Sequence, residues 1–312
     1  MIPAVLIVST TLDFSTDFVC IGLSERGICY LRLNRDRFNE YEIILNPIDP
    51  SMIVTIAGQT YEISDDSLMS IYYRAPTFLR DIYQPELAED KQLYRSQWAA
   101  FIRNLIVFEK AVWINNPVDT YRAENKAYQL MIAGRIGFFL PRTLIVNHIS
   151  QATSFGELAA IKSIDTAIVG NSEQEKFVYT QLYKTSTLDD QHFSSPFFFQ
   201  TALTPKSDIR VTIVQDWLLA VKIDSEVPIA GDWRKHDTSL NYEIIELPLD
   251  VARNCIQFAK ELNLRYCAID LIFFKGEYYF IEVNPTGEWL FIQQNVNQRI
   301  HEEIISSLVP VD

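Results

Sequence analysis

Apolar positions along the first part of the chain predict strands that alternate with helices. Short runs rich in β-branched residues predict strands over residues 5–9, 28–33, 52–56 and 70–73. Apolar side chains recur at spacings of three to five from Leu93 to Phe108, which predicts a helix over residues 89–110. A short strand over 112–115 follows and is closed by Asn116 and Pro117. This alternation favours a parallel α/β layer.

The middle of the chain begins with a helix and then turns to strands. We expect Asp119 to cap a helix that carries Arg122, Asn125 and Lys126 and ends near Gly137. Strands are expected over 139–146 and 160–164, on either side of a helix near 151–158. Longer β runs follow at 177–183, 197–201, 208–214 and 217–223.

The last part of the chain combines a helix over 248–262, a β-hairpin and a terminal helix over 300–308. Because helices and strands are grouped in blocks here, we expect α+β subdomains after the N-terminal layer. The predicted units are an α/β domain over residues 1–118 and two α+β subdomains over 119–197 and 198–312.

Charge and hydropathy exclude several functions. The chain of 312 residues has a formal net charge of −13, whereas a nucleic-acid-binding protein needs a basic face. We therefore expect no nucleic-acid partner, and any phosphate ligand must be held by a few placed Lys and Arg side chains and a metal ion. No apolar run approaches the roughly 20 residues of a membrane span, so we expect no membrane partner.

Cysteine and histidine positions argue against disulfides and zinc. The four cysteines form no C-x-x-C pair and lie in apolar segments, which is typical of buried thiols in a reducing cytoplasm. The four histidines are scattered without the spacing of metal ligands. The opening strand has no basic residue before it, unlike a signal peptide. These features favour a cytoplasmic protein.

The strongest chemical signal lies in residues 266–285, whose sequence is YCAIDLIFFKGEYYFIEVNP. The Lys-Gly-Glu segment between two aromatic and β-branched runs predicts a hairpin loop. If this loop is symmetric about Gly276, Asp270 lies directly opposite Glu282. The two-residue period of a strand then gives one face the side chains of Ala268, Asp270, Phe280, Glu282 and Asn284.

Opposed carboxylates at this position indicate a metal site. Two such groups about 5 Å apart repel each other unless a cation lies between them. The flanking sequence offers no charge partner, and Mg²⁺ takes one or two protein carboxylates and completes its shell with nucleotide phosphates. Asn284 adds a neutral carbonyl oxygen. We predict that Asp270, Glu282 and Asn284 bind Mg²⁺; the alternative is a solvated sheet face whose acids have no role.

A metal–triphosphate site also needs fixed cations. Lys126 lies in a helix, and Lys162 lies in an apolar strand where an unpaired ammonium is costly to bury, so it should face an anion. The alternative for Lys162 is an exposed lysine at a sheet edge. Arg210, in a β run, is suited to bidentate contact with phosphate or carboxylate, or to a structural ion pair with Asp208.

Taken in order, several segments resemble the ATP-grasp superfamily and, more narrowly, the graspetide maturases, the microviridin-type ligases that cross-link ribosomal peptides. The wider resemblance rests on Asn125-Lys126, Lys162, Phe199-Gln200, Asp208-Ile-Arg210-Val, Asp270 and Glu282-Val-Asn284-Pro. The narrower one rests on Tyr73-Arg-Ala-Pro76, Trp113-Ile-Asn-Asn-Pro117, Arg122-Ala-Glu-Asn-Lys126, Leu140-Pro-Arg-Thr-Leu-Ile-Val-Asn147, Gly231-Asp-Trp-Arg234 and Asn284-Pro-Thr-Gly-Glu-Trp289. Each segment is weak alone, but the ordered set spans most of the chain.

The resemblance implies an ATP-grasp fold, in which an N-terminal α/β pre-grasp domain precedes two α+β subdomains that clasp ATP. It implies Lys126 and Lys162 on the nucleotide phosphates, and Asp270, Glu282 and Asn284 on Mg²⁺. It places Gln200 to Leu203 at the adenine as a hinge, and Asp208 with the cofactor-binding residues. One departure is that residues 163–178, where a glycine-rich phosphate-covering loop is expected, contain only Gly170.

The resemblance also implies a reaction and a partner. The chain would activate Asp or Glu side chains of a ribosomal precursor peptide as acyl phosphates, and join them to Ser, Thr or Lys side chains as esters or amides. Arg210, Arg234 and Arg74 are candidates for holding the reacting carboxylate; for Arg234 the alternative is a cation–π contact with Trp233. A leader-peptide groove is expected on the central subdomain, and a homodimer would suit the family.

Two other functions stay open at this point. An ATP-grasp ligase that acts on a small amino acid or on a protein terminus would have the same nucleotide site. A nucleotide-binding module without turnover is the second alternative, although such a module has no need of every metal ligand that this sequence keeps.

Overall fold

Strand pairing divides the molecule into layers. The computed structural model describes residues 1–74, 76, 88–148, 155–165, 168–171, 174–177, 180–187, 195–225 and 240–309. Within these residues the strands form five sheets. None of the helices in these ranges is long and apolar enough to cross a membrane.

The described part of the N-terminal layer contains seven strands and two helices. Its strands are β1 Val5–Ser9, β2 Tyr30–Asn34, β3 Tyr41–Asn46, β4 Ser51–Ile56, β5 Gln59–Ser64, β6 Ser70–Tyr73 and β7 Val112–Ile114. Its helices are α1 Phe14–Glu25 and α2 Glu89–Asn104. A parallel sheet has the order β2-β1-β6-β7, which confirms the predicted α/β layer, and β3, β4 and β5 form an antiparallel sheet.

The central part is built on a four-stranded sheet in the order β12-β9-β13-β8. Its elements are α3 Pro117–Ala123, α4 Lys126–Ile136, β8 Thr143–Val146, β9 Leu158–Lys162, β10 Ile168–Asn171, β11 Gln174–Phe177, β12 Gln181–Lys184 and β13 Phe197–Thr201. β10 and β11 form a separate antiparallel ribbon. This ribbon occupies the segment where the phosphate-covering loop is expected.

The C-terminal part is a five-stranded antiparallel sheet in the order β16-β15-β14-β17-β18. Its elements are β14 Ser207–Val214, β15 Trp217–Ser225, β16 Leu240–Ile245, α5 Leu249–Glu261, β17 Tyr266–Phe274, β18 Glu277–Asn284, α6 Leu290–Val296 and α7 Ile300–Leu308. The hairpin and the terminal helix are confirmed at the predicted positions. Short 3₁₀ turns occur at Phe38–Glu40, Leu105–Val107 and Thr185–Thr187.

The predicted single helix after residue 119 is wrong. Asn116 caps α3, because its side chain accepts a hydrogen bond from the Val118 N–H and Pro117 occupies the first helical position. The helix then ends, and Asn125 is the N-cap of a second helix, α4. Its predicted end is confirmed: Gly137 has a φ of +102° and closes the helix in the left-handed region.

Other differences follow from local chemistry. The strand predicted over 139–146 begins only at Thr143, two residues after Pro141, which has no N–H to donate. Of the helix predicted near 151–158, residues 151–154 lie outside the described residues and Leu158 begins a strand. The run predicted over 177–183 is divided between two strands. Sequence patterns missed helices α1 and α6 and strands β3, β5 and β16.

One apolar core joins the N-terminal and C-terminal layers. Ile7 and Tyr72 of the parallel sheet pack in the same cluster as Val221, Tyr266 and Trp289. The predicted domain boundaries stay predictions. Because β13 pairs with β8 and β9, we propose that the C-terminal unit begins after residue 201.

Candidate active site

The hairpin of β17 and β18 turns at Lys275 and Gly276, whose φ values are +51° and +89°. Positive φ at both central residues is typical of a two-residue type I′ turn. This turn pairs Phe274 with Glu277, so the loop is not symmetric about Gly276 as the sequence argument assumed.

A β-bulge then changes the register. Phe280 pairs with Leu271 and Glu282 pairs with Asp270, which leaves Ile281 as the extra residue. The predicted opposition of the two carboxylates is confirmed, although the bulge produces it. The bulge also turns Phe280 to the opposite face, where it is fully buried, so its predicted place beside the acids is wrong.

Cationic side chains flank both acids. Arg210 lies opposite Asp270 on β14, with its Nη1 2.7 Å from Asp270 Oδ1. Lys126, the first residue of α4, has its Nζ 3.2 Å from Glu282 Oε2. The expectation that the acids have no charge partners is therefore wrong. Arg210, Asp270, Glu282 and Lys126 form a line of four charges, called the charged row below.

The oxygen donors of the charged row fit a hard divalent cation. Asn284 ends β18 on the face of Glu282, and its Nδ2 donates to Asp270 Oδ2 at 3.2 Å. Two carboxylates and an amide are ligands of the kind that Mg²⁺ takes in nucleotide sites. In the described ranges no group of three or more His, Cys, Asp or Glu side chains could hold a metal ion.

Arg210 is buried, and the N–H on its Nε is left without a hydrogen-bond partner among the described residues. Its side chain is only 8% exposed, and its Nη2 donates to the Glu288 carbonyl at 3.1 Å. Burial alone would lower the pKa of Arg210, but neighbouring Asp270 raises it, so the group stays charged. An unpaired buried N–H costs about 1–3 kcal/mol, which suits Arg210 to bind an anionic oxygen.

Asp208 does not serve as the ion-pair partner of Arg210. Its carboxylate contacts Lys206, whereas Arg210 contacts Asp270. Asp208 lies two residues before Arg210 on β14, and the predicted role of Asp208 in cofactor binding stays a prediction.

Lys162 and Gln200 face the same side of the central sheet. Lys162 ends the interior strand β9, is 9% exposed and pairs with Phe198, so the alternative of an exposed edge lysine is wrong. Its Nζ lies 6.0 Å from the centroid of the Phe198 ring. Gln200 follows two residues later on β13, and its Nε2 donates to Thr143 Oγ1 at 2.8 Å.

An apolar groove of about 350 Å³ opens on this side of the sheet. Its lining comes from α4, β8 and the neighbouring segments: Ala127, Leu130, Met131, Leu140, Pro141, Thr143, Leu144, Ile145 and Phe198. Leu203, the last residue of the expected adenine hinge, is buried just beyond β13. Apolar surface therefore lies next to the lysine that is expected to meet phosphate.

Arg74 uses all five of its N–H donors within the protein. They reach Asp13, Ser15, Glu288 and the carbonyls of Thr286 and Gly287 at 2.7 to 3.3 Å. The predicted contact of Arg74 with a reacting carboxylate stays a prediction. Its hydrogen bonds favour a different role, which is to hold the loop that follows β18.

Asp13 completes this arrangement as the N-cap of α1. Burial alone would raise the pKa of Asp13, but the Arg74 guanidinium and the hydroxyls of Ser15, Thr16 and Ser9 outweigh burial and lower the pKa to about 2. Asp13 is thus a fixed negative charge that balances Arg74.

Solved structures resemble this molecule along its whole length, although no family model and no curated protein matches the sequence. The macrocyclase MdnC from Microcystis aeruginosa MRC, bound with precursor peptide MdnA, has a TM-score of 0.83 and 22% identity over 100% of both chains. A RiPP-associated ATP-grasp ligase from Chryseobacterium gregarium, in complex with ADP and a leader and core peptide, has a TM-score of 0.83 and 23% identity over 98% of this chain and 96% of its own. This chain has the ATP-grasp fold.

A third ATP-grasp structure extends the comparison to a metal complex. The ligase PsnB, complexed with a phosphomimetic variant of a minimal precursor, Mg and ADP, has a TM-score of 0.78 and 20% identity over 98% of each chain. The fold class predicted from the sequence is confirmed. In this ATP-grasp fold, Arg210, Asp270 and Glu282 of the charged row lie on the C-terminal sheet and Lys126 lies on α4, while Lys162 and Gln200 lie on the central sheet.

Some predicted residues and segments cannot be compared with the structure. Arg234 and its neighbour Trp233 lie outside the described residues. The backbone of β10 and β11 is described, with Gly170 opposite Glu175, but the identity of this ribbon as the phosphate-covering loop stays a prediction.

Sequence reasoning assigned no individual role to three residues that shape the site, although Gly287 and Asn115 lie in segments that carry the resemblance. Gly287 is one, because a Cβ there would lie 2.7 Å from Ala268 Cβ and 2.8 Å from Arg210 Nη2. Asn115 and Gln129 are the others; both are buried amides that bond to the backbone around the hairpin. The glycine after Asn-Pro-Thr was a usable signal, whereas nothing local distinguishes a buried amide from an exposed one.

Proposed function

We propose that this chain is an ATP-dependent carboxylate ligase that cross-links a ribosomal precursor peptide. It would activate Asp or Glu side chains of the peptide and join them to Ser, Thr or Lys side chains of the same molecule. This proposal rests on the charged row, in which a buried guanidinium with an unused N–H lies beside two carboxylates of the kind that bind metal ions. The neighbours solved with precursor peptides support the choice of substrate.

ATP and Mg²⁺ are the proposed cofactors. Lys126 and Lys162 would bind the phosphates, and Asp270, Glu282 and Asn284 would hold Mg²⁺. When bound, the ion neutralises charge on the phosphate oxygens. The apolar groove and the 200–203 segment offer a surface for the purine base, with Asp208 among the nucleotide-binding residues.

The proposed reaction has two steps whose atoms balance. A carboxylate oxygen of the peptide attacks the γ-phosphorus of ATP in line, and ADP leaves, which gives an acyl phosphate. A hydroxyl or amine of the peptide then attacks the acyl carbon, loses its proton and displaces phosphate. Each cross-link removes one water from the peptide, and one ATP becomes ADP and phosphate.

The protein's part in this reaction is to position and to neutralise charge. The free Nε of Arg210 would hold the reacting carboxylate, and Arg234 would assist it. No side-chain nucleophile is required. The four cysteines are free thiols, and Cys255 is buried with its pKa raised to about 12 by that burial, so it is not a reactive thiolate. We propose a cytoplasmic location, where such thiols stay reduced.

The intact mass of a candidate precursor peptide tests this function. The peptide encoded beside the gene is incubated with the protein and Mg·ATP, and omission of the protein is the control. We expect the loss of one water per cross-link, with fragmentation suppressed inside each ring. An unchanged peptide mass, with ATP hydrolysed only when free amino acids are supplied, would instead favour a ligase for small amino acids. ATP binding without any turnover would favour a binding module.

A further inference from the structure

Gln129 takes the place of a neighbouring strand at the edge of β18. It lies on α4 and is 2% exposed. Its Oε1 accepts from the Val283 N–H at 3.0 Å, and its Nε2 donates to the Val283 carbonyl at 2.9 Å. Val283 lies between Glu282 and Asn284, so one helical side chain fixes the backbone that carries two of the proposed metal ligands.

Asn115 performs a similar task at the end of β18. It is 1% exposed, and its Oδ1 accepts from the N–H groups of Arg265 and Tyr266 at 2.9 and 3.0 Å. Its Nδ2 donates to the carbonyls of Tyr266 and Pro285 at 2.7 and 2.8 Å. This single amide therefore ties the start of β17 to the first residue after β18.

The next three carbonyls are held by buried side chains as well. Arg74 donates to Thr286 and Gly287 at 2.7 and 3.1 Å, and the Tyr266 hydroxyl donates to Gly287 at 2.6 Å. Arg210 holds the carbonyl of the following residue at 3.1 Å. Arg210 thus depends for its own position on the loop that Asn115 and Arg74 hold.

β18 is the last strand of its sheet and has a sheet partner on one side only, so its end would otherwise fray. We propose that Gln129 and Asn115 are positioning residues of the active site. Gln129 fixes the oxygens of Glu282 and Asn284, and Asn115 fixes the loop whose Glu288 carbonyl accepts a hydrogen bond from Arg210. This inference rests on the proposed function, because the ligand for which these oxygens are placed is Mg²⁺ with nucleotide, and such sites require sub-ångström placement.

The test compares two Gln→Met variants of the full chain. Gln129→Met keeps the length of the side chain but removes both hydrogen bonds to Val283, together with the bond that Nε2 donates to the Ala123 carbonyl at 2.6 Å. Gln293→Met is the matched control, since Gln293 is also buried and its side chain accepts from the N–H of His301 and contacts the His301 ring, away from β18. Fluorescently labelled ADP is titrated with each protein in EDTA and at increasing Mg²⁺, and thermal midpoints are recorded alongside.

We expect Gln129→Met to need at least about fivefold more Mg²⁺ for half-maximal ADP binding, while its ADP affinity in EDTA stays within about twofold of wild type. Gln293→Met should match wild type in both its Mg²⁺ requirement and its ADP affinity in EDTA, even if its thermal midpoint falls as far as that of Gln129→Met. Gln129→Asn keeps the amide on a side chain that is one methylene shorter, and it should give an intermediate shift in the Mg²⁺ requirement. It replaces Gln129→Met in the test if Gln129→Met does not fold.

An unchanged Mg²⁺ requirement in the folded Gln129 variants, or an equal shift in Gln293→Met, would overturn the positioning role alone. A wild-type protein whose ADP binding ignores Mg²⁺ would instead overturn the proposed function, and the inference with it.

Discussion

Asp270 and Glu282 face each other, and each also contacts a cationic side chain. The repulsion between the two carboxylates is therefore offset within the protein. Asp270→Asn and Glu282→Gln should each lower ATP turnover at least about 100-fold, because each removes a proposed ligand of Mg²⁺. Turnover is measured as ADP release in the presence of peptide and Mg²⁺. Asp224→Asn is the control, since Asp224 lies on the same sheet in an ion pair with Lys222. Near-normal turnover in a folded Asp270 or Glu282 variant would exclude the metal assignment.

Arg210 differs from these acids because its expected ligand is the peptide carboxylate. Arg210→Lys keeps a cation beside Asp270 but loses the planar fork and its unused Nε–H. We expect ligation to fall about 100-fold and nucleotide affinity to change less than about threefold.

The Arg210 prediction is checked by single-turnover mass spectrometry of the peptide together with an ATP-binding titration. The control is Arg26→Lys, which likewise replaces a guanidinium by an ammonium group, but in a partly exposed ion pair with Glu302. A variant that ligates normally would remove Arg210 from the site.

At the residue scale, the sequence revealed the acids but not their surroundings. The two-residue period placed Asp270 opposite Glu282 only with a loop symmetric about Gly276, whereas in the structure the shorter turn and the bulge at Ile281 together produce that pairing. Their partners Arg210 and Lys126 come from another strand and a helix, which no local pattern connects. Gln129 lies in a helix with little amphipathic contrast, and its burial depends on packing against β18.

At the scale of elements, the β17–β18 turn offers a direct test of local geometry. Lys275 has a φ of +51°, which a lysine adopts at a cost, whereas type I′ turns favour Asn before Gly. Lys275→Asn should therefore raise the free energy of unfolding by about 0.5 kcal/mol, measured by urea denaturation, and leave ATP turnover unchanged. Lys275→Ala should give no such gain, and equal effects from the two variants would contradict the turn assignment.

Element prediction succeeded where one local signal dominated and failed where two competed. Helix α7 matches its predicted range because its apolar period meets no competing signal. Near residue 119 two caps competed, and Asn116 followed by Pro117 was the stronger start because proline fits the first helical position. The β-bulge at Ile281 had no sequence signal, since any apolar residue can occupy that position.

At the scale of the whole molecule, the N-terminal layer and the C-terminal sheet share one core, and Arg74, paired with Asp13, also joins them by donating to the carbonyls of Thr286 and Gly287. The pKa of Asp13 is about 2, below its ordinary value of 3.8. A carboxyl group whose pKa is lower in the folded chain stabilises the fold above its unfolded pKa, and this contribution is lost as the pH falls towards 2.

Asp13→Asn should therefore lower the free energy of unfolding at pH 7 by about 2 kcal/mol. Its difference from wild type should shrink between pH 4 and pH 2, where wild-type Asp13 becomes protonated. Urea denaturation across this range checks both points. Asp216→Asn, at an exposed ion pair with Lys260, should follow the wild-type curve. A constant difference between Asp13→Asn and wild type at all pH values would contradict the assigned pKa.

The outer edge of β18 also bears on how copies of the protein behave towards one another. Val283 presents its N–H and carbonyl to Gln129, and the Phe280 N–H donates to the Phe139 carbonyl at 2.9 Å. An exposed strand edge of this kind is a template on which another chain can add a strand and begin an aggregate. Because α4 and its following segment satisfy the edge groups of Val283 and Phe280, a second chain cannot pair with the strand at these positions, and the side chain proposed to position the metal ligands also blocks strand addition there.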